Sequence, residues 1–311
     1  MTASKAMKKI HVDTLVIGAG IAGSTTAKYL SDGGQNVFLA SARDLNISNS
    51  SWAQGGIVYE NQDPASLTKD IQYASQQSSN HDAVDFIVKN GSKAVEQLLI
   101  ESLKVPFDKE SDGKLSFTKE AAHSKNRIIH IADRTGKGIV EKLHEDLNQK
   151  SNLEIRGNIC AIDLITLAHH SLNQQHQYQP SRVMGAYFLD VKSKEIFAVI
   201  ADKTVLATGG VGQVFSRTTN APGSFGHGLS MAYRIGARVM NLEYVQFHPT
   251  VFYKKNAPTF LVSEAVRGEG CELVNSDGQT FMHKYHKDGS LAPRDILSLS
   301  LIHISEPTRP Y

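Results

Sequence analysis

The apolar residues near the start of this chain fall into short runs separated by glycines. His11 to Ile17 (HVDTLVI) is rich in β-branched residues and stops at Gly18, so it reads as a buried strand. Gly18 to Ser31 reads as a helix, with Ala22, Ala27 and Leu30 available to pack. After the Gly33-Gly34 break, Asn36 to Ala40 (NVFLA) repeats the strand pattern. Strand, helix and strand in this order predict a βαβ unit, and hence an α/β fold with a parallel sheet covered by helices.

Further along, the small polar stretch Ser48 to Gly56 reads as a loop. Two helices are predicted at Asp82 to Asn90 and Ser92 to Leu103, separated by Gly91, with Asp82 as N-cap. Gly136 to Gln149 reads as another helix. Leu153 to Leu167 and Val183 to Ile200 read as strands, joined by the polar loop His169 to Pro180. Lys203 to Ala207 (KTVLA) reads as a buried strand ended by Thr208-Gly209-Gly210, and Gly226 to Gly236 as a helix. Beyond Gly236 regular periods are few, which places a domain boundary near Asn241. The histidines of the 169–180 stretch read as members of a solvated connection, not as metal ligands.

Composition narrows the class. A chain of 311 residues has room for two domains, and 41% hydrophobic with 21% charged residues is ordinary for a soluble globular protein. A net charge of +2 gives no footprint for nucleic acid, but leaves an anionic small molecule open. Cys160 and Cys271 form no CxxC pair and read as reduced thiols. Lys5, Lys8, Lys9 and His11 precede no apolar segment of a signal peptide. No apolar run reaches the length of about 18 residues needed to span a membrane. A cytoplasmic protein with no membrane partner is expected.

The chemistry begins at Gly18-Ala19-Gly20-Ile21-Ala22-Gly23, a GxGxxG between a strand and a helix. The first glycine makes the tight turn, the second lets backbone approach a pyrophosphate, and the third lets helix and strand pack closely. The helix N-terminus adds amide donors and partial positive charge. The second strand ends in Ala40-Ser41-Ala42-Arg43, without the acid that binds the ribose in plain NAD sites. Lys203 to Gly210 (KTVLATGG) is a second strand end in small residues, and the pair points to a two-segment flavin site. Asn49 to Gly56 (NSSWAQGG) suits a loop under a flat ring, and Trp52 reads equally as core packing or ring stacking. Gly136-Lys137-Gly138 lacks P-loop spacing. Polar groups gather again at Gln246-Phe247-His248-Pro249-Thr250, at Glu264 and Arg267 (spaced i, i+3), and at Ala292-Pro293-Arg294-Asp295. On spacing alone these charges read as surface ion pairs.

Together, GAGIAG, AQGGI, HSKNRIIHIADRTG, LATGG, NLEYVQFHPT, SEAVRGEG and APRD resemble the fumarate reductase and succinate dehydrogenase flavoprotein superfamily, from about Val12 to Ile296. Within it they are most similar to the L-aspartate oxidase family. The resemblance implies a Rossmann-like FAD-binding domain with added strands (1–240), a partial α+β capping domain (241–297), and a non-family, artefactual tail (298–311) on a C-terminally truncated chain. It implies FAD at Gly18, Ala19, Gly20, Ile21, Ala22, Gly23, Ser41, Asn49, Ser50, Ser51, Trp52, Ala53, Gln54, Gly55, Gly56, Ala207, Thr208 and Gly209. Asn49 stands where succinate dehydrogenases resemble SHTxxAQGG and tether the flavin through histidine, so a noncovalent flavin is expected.

The resemblance also implies a chemistry. L-aspartate would be oxidised to iminoaspartate, the first step of quinolinate and NAD biosynthesis, with oxygen or fumarate reoxidising the flavin. Glu120 would face the substrate amino group, favouring an ammonium-bearing dicarboxylate over succinate. His248 and Ser263 would hold its carboxylates, with Gln246 nearby. Arg294 would hold a carboxylate and take a proton, with Glu264 and Arg267 as relay partners. Quinolinate synthase is the implied protein partner. The alternatives are a soluble fumarate reductase or succinate dehydrogenase-type flavoprotein, and an inactive FAD-binding fragment. Three positions depart from the family pattern: His227 in Gly226-His227-Gly228, where aspartate is usual; Ala121-Ala122, where two glycines are usual; and Ala42, where lysine is frequent.

Overall fold

The computed structural model describes residues 7–255 and 260–305. They form two compact units, residues 7–52 with 137–243, and residues 53–136 with 244–255 and 260–305.

The first unit is built on a six-stranded sheet. Its strands are β1 (Lys8–Ile17), β2 (Val37–Ala40), β5 (Leu153–Arg156), β6 (Ile159–Thr166), β7 (Val183–Asp190) and β8 (Ile196–Leu206), in the spatial order β5-β2-β1-β8-β7-β6. The strands β5, β2, β1 and β8 run parallel, while β7 and β6 join antiparallel at one edge. The expected α/β, Rossmann-like fold with added strands is therefore present. Residues 14 to 17 of β1 and all of β2 are buried, because helices cover both sheet faces. Leu15, Ile17, Phe38, Phe188, Phe197 and Val199 pack on one face with Met231 of α7 (His227–Arg234). Val16, Leu39 and Val37 pack on the other with Ala27 of α1 (Ile21–Asp32) and Leu147 of α5 (Thr135–Leu147). The short helices α2 (Asn49–Trp52) and α6 (Leu167–His170) complete the unit.

The second unit holds two small antiparallel pairs, β3 (Ile57–Val58) with β4 (Ile128–Ile129) and β9 (Val251–Phe252) with β10 (Phe260–Leu261). Its helices are α3 (Pro64–Ala74), α4 (His81–Ala94), α8 (Glu264–Gly268) and α9 (Arg294–Ser305). Phe281, Met282, Ala292 and Leu297 form a small core against which Ile296 and Leu301 of α9 pack. Of the expected tail at 298–311, the first residues continue α9, and 306–311 lie outside the described residues.

Several elements differ from the pattern-based expectation. Gly91 does not separate a pair of helices: α4 runs through it and continues as a π-helical stretch, Val95–Ser102. The cost of a helical glycine, about 1 kcal/mol, is outweighed here by burial of Val84, Val95, Leu98 and Leu99. The cap is Asn80, whose side chain accepts from Ala83 N, and Asp82 sits in the first turn instead. The run Leu153 to Leu167 is two strands, because the chain turns at Gly157-Asn158, with Asn158 at φ 58°. Val183 to Ala207 is a hairpin whose second strand is continuous, the turn passing through Lys194 at φ 62°. The stretch 48–56 contains α2. Helix α3 has no counterpart in the pattern-based expectation, although Asp63-Pro64 signals it: Asp63 caps Ser66 N at 3.1 Å and proline opens the helix.

No helix among the described residues is long and apolar enough to cross a membrane. Among them no group of three His, Cys, Asp or Glu residues forms a metal site. Both Cys160 and Cys271 are free thiols.

Candidate functional site

In the first unit, the turn after β1 is forced by sterics. Gly18 has φ 113°, and a Cβ there would overlap the Ala207 carbonyl at the end of β8. A Cβ on Gly23 would overlap the Gly18 carbonyl and meet the Ala207 side chain. The two strand ends and the start of α1 therefore form one close-packed corner holding Gly18, Ala19, Gly20, Ile21, Ala22, Gly23 and Ala207. No acidic residue lies in the first turn of α1, so the positive end of the helix is uncompensated. Ser50 of α2 accepts from Ile21 N at 3.0 Å and abuts Gly20. Gly209 has φ 73°, and at Gly209 and Gly210 a Cβ would meet nothing within 4 Å. A helix end without acid, beside open glycine backbone, fits a dinucleotide phosphate, so these residues suit FAD.

Gly228 and His144 support this corner and, like His227, lie outside the expected site set. A Cβ on Gly228 would overlap the Thr208 hydroxyl, so only glycine lets α7 approach that strand end. His227, at the usual aspartate position, is exposed and stacks on Phe225 at 5.8 Å. His144 of α5 is buried beneath the turn, its Nε2 3.3 Å from both Ala19 O and Ser24 Oγ. Burial holds its pKa below the ordinary histidine value, against the pull of the Ala19 carbonyl and Asp44.

The Asn49 carboxamide is stapled to the loop before α7. Its Nδ2 donates to Asn220 Oδ1 at 3.0 Å and to Ser224 Oγ at 2.9 Å, and its Oδ1 accepts from Ala221 N at 2.7 Å. Both Nδ2 protons are thus bound inside the protein, and a carboxamide nitrogen, its lone pair delocalised into the carbonyl, is no nucleophile. Ser51 closes a turn with Ser48, its hydroxyl accepting from Ser48 N at 3.1 Å. Ser41 continues the sheet, donating to Arg156 O through its amide at 2.8 Å. Trp52 is 46% exposed, so the core-packing reading is set aside.

Ala53, Gln54, Gly55 and Gly56 belong to the second unit. Gln54 donates to Leu261 O at 3.4 Å, and the Ala53 carbonyl accepts from Gly136 N at 3.0 Å. Gly55 and Gly56 lie directly against Glu120, whose Oε1 accepts from Gly56 N at 3.2 Å.

The same unit gathers the expected substrate residues. The Ala121 amide donates to Glu264 Oε1 at 2.7 Å, and Arg294 Nε donates to Glu264 Oε2 at 2.9 Å. Arg267 Nη2 lies 3.6 Å from the same Oε2, and its Nη1 donates to Thr250 Oγ1 at 2.7 Å. Arg294 Nη1 reaches Gln246 Oε1 at 3.5 Å. His248 Nδ1 lies 2.8 Å from Thr250 O, and half-buried Ser263 precedes α8, accepting from Val266 N through its carbonyl. The surface ion-pair reading is overturned by burial: the side chains of Glu264 and Arg267 are 11% and 4% exposed.

Burial would raise the Glu264 pKa, but the Ala121 amide and the two arginines outweigh it and hold the carboxylate below its ordinary value. Burial, and the like charge of Arg294, lower the Arg267 guanidinium against the pull of Glu264. Burial also lowers His248, aided by Arg294 and Arg267 and opposed by the Thr250 carbonyl and Glu264. At neutral pH the group thus holds an ionised Glu264 between two cations, beside a neutral imidazole. Thr250, absent from the expected set, was legible only as the end of the QFHPT motif.

Residues 13–311 match the family described as FAD binding domain. The L-aspartate oxidase of Halobacterium salinarum is 41% identical over 293 residues, covering 92% of this chain and 54% of that protein. L-aspartate oxidase 1 of Ralstonia nicotianae is 39% identical over 297 residues, covering 94% of this chain and 54% of that protein. The chain spans about half the length of the curated relatives it matches. A quinol fumarate reductase structure from E. coli superposes with a TM-score of 0.84 at 24% identity, covering 96% of this chain and 51% of that one, and shares the fold. The Mycobacterium smegmatis Sdh1 complex in the apo form gives 0.75 at 25% identity, covering 94% and 49%.

Proposed function

The chain belongs to the FAD binding domain family, and we propose that within it the chain carries the FAD-dependent oxidation of L-aspartate to iminoaspartate. Bound FAD would supply the hydride acceptor, with oxygen or fumarate as the oxidant that regenerates it. The residues of the chain bind, orient and move a proton. The observation that carries the reading is the 2.7 Å bond from Ala121 N to Glu264. It joins the residue after Glu120 to the arginine cluster, so one carboxylate and a set of cationic and neutral donors share one region of the second unit. A carboxylate paired with an ammonium, and arginines paired with carboxylates, match the charge pattern of an amino dicarboxylate.

In this reading Glu120 receives the substrate ammonium, already oriented by Gly56 N. Arg294, His248, Gln246 and Ser263 hold the carboxylates. A guanidinium carries no lone pair free to take a proton. Arg294 accepts the substrate proton only as its own Nε proton moves to Glu264 Oε2, 2.9 Å away. Arg267, itself held by Thr250 Oγ1, helps keep that carboxylate ionised and in place. Noncovalent attachment of FAD, supported by the non-nucleophilic Asn49 amide, belongs to the same proposal, as do a cytoplasmic location and hand-over of the imine to quinolinate synthase.

The test is substrate choice. FAD-loaded protein is given aspartate or succinate, and peroxide and the imine hydrolysis products are measured. Products from aspartate alone are expected. Turnover of succinate in preference to aspartate would make this a fumarate reductase-type protein and overturn the reading.

A further inference from the structure

Arg127 is not among the expected site residues, yet it is 1% exposed in the second unit. Its Nε lies 3.3 Å from Glu60 Oε2, and its Nη2 lies 3.2 Å from Asp70 Oδ2. Nη2 also donates to Ser66 Oγ at 2.8 Å and to Ser124 Oγ at 3.3 Å. The two carboxylates are themselves occupied. Glu60 takes the amides of Gln62 and Asp63, and Asp70 takes both the amide and the hydroxyl of Ser124, at 2.8 and 2.9 Å.

Stability alone is a poor reason for such a triad, because desolvating three charges offsets most of what their pairing contributes. Its geometry is informative. The segment from Thr118 to Arg127 is pinned at its ends by Arg127 N to Thr118 O (3.1 Å) and by the mutual bonds of Thr118 and Ile128. At its far side Ser124 is fastened to Asp70 on α3. Between these anchors lies Glu120, whose carbonyl accepts from His123 N at 3.2 Å across a turn holding Ala122 at φ 64°. The guanidinium is the corner on which the loop after β3 at Glu60, helix α3 and this loop all meet. A lysine could not bridge three directions with one planar group.

We infer that Arg127 is a positioning residue: locked by Glu60 and Asp70, it sets the Thr118–Arg127 loop and thereby aims the Glu120 carboxylate. Selectivity for an ammonium-bearing substrate then depends on a residue that never touches substrate. This rests on the proposed role of Glu120.

The experiment compares FAD-loaded wild type with Arg127→Lys and Asp70→Asn. Hydrogen–deuterium exchange of residues 118–124 is read alongside the kinetics of aspartate oxidation and fumarate reduction. Faster exchange in that segment is expected, with a rise in the KM for aspartate of about tenfold and little change in kcat. The KM for fumarate, which has no ammonium, should stay within about twofold. Unchanged exchange in both variants overturns the inference, whatever the substrate proves to be. Equal KM shifts for aspartate and fumarate also overturn it, since a merely structural role would act on both. If wild type ignores aspartate, the functional reading fails, and the exchange measurement still judges the Arg127–loop link.

Discussion

Glu264 Oε2 accepts a hydrogen bond from Arg294 Nε at 2.9 Å, across 30 residues of sequence. The other oxygen of this carboxylate holds the Ala121 amide, so one side chain ties the Glu120 loop to α8 and to the start of α9.

Glu264→Gln keeps the shape and removes the charge, leaving Arg267 a buried cation without its counter-ion. Loss of one partner from a buried pair costs about 3 kcal/mol, discounted here to roughly 2 because Arg294 is partly exposed. Urea unfolding near pH 7 should show that loss. The folded-state pKa of Glu264 lies below the ordinary 4.5. Its contribution is therefore complete above that pH and fades as pH falls through the lowered value. The difference between wild type and variant should shrink in acid; a difference that grew there would sink the account.

His248 is held below the ordinary 6.5, first by burial and then by Arg294 and Arg267. As pH falls from 6.5 the unfolded chain takes up a proton that the folded site resists, so stability contributed at this position declines until the folded imidazole is also charged. An NMR titration should place its midpoint below 6.5. A dicarboxylate such as malonate should raise that midpoint by bringing negative charge close. An unmoved midpoint at saturating malonate would remove His248 from the carboxylate site.

Gly228→Ala forces a methyl group into the Thr208 hydroxyl. The approach of α7 to the end of β8 must loosen, and FAD affinity should fall by about tenfold or more, equivalent to roughly 1.4 kcal/mol. Gly91→Ala, where a Cβ meets nothing within 4 Å, serves as control and should leave affinity unchanged. Flavin fluorescence titration reads both. Equal affinities for the three proteins would show that the Thr208 contact does not support the cofactor.

The sequence by itself was enough for the first strand, helix and strand and for the GxGxxG turn. Period, β-branching and glycine spacing are local properties, and the overlap between Gly18 and Ala207 admits one backbone path. It was enough, too, to nominate Glu120, His248, Glu264, Arg267 and Arg294 by resemblance. What it left open was their physical state. Glu264 and Arg267 at i, i+3 look the same on paper whether solvated or buried, and only the chain folding around them decides that they are desolvated and shared with Arg294. The strand break at Asn158 and the continuity of α4 through Gly91 were likewise settled by pairing and burial, not by propensity. Arg127 shows the limit most plainly. Its partners Glu60 and Asp70 lie on other segments, and no spacing in the chain announces that three distant charges will close around one loop. Burial and long-range pairing depend on the whole packed structure, so they became visible only there.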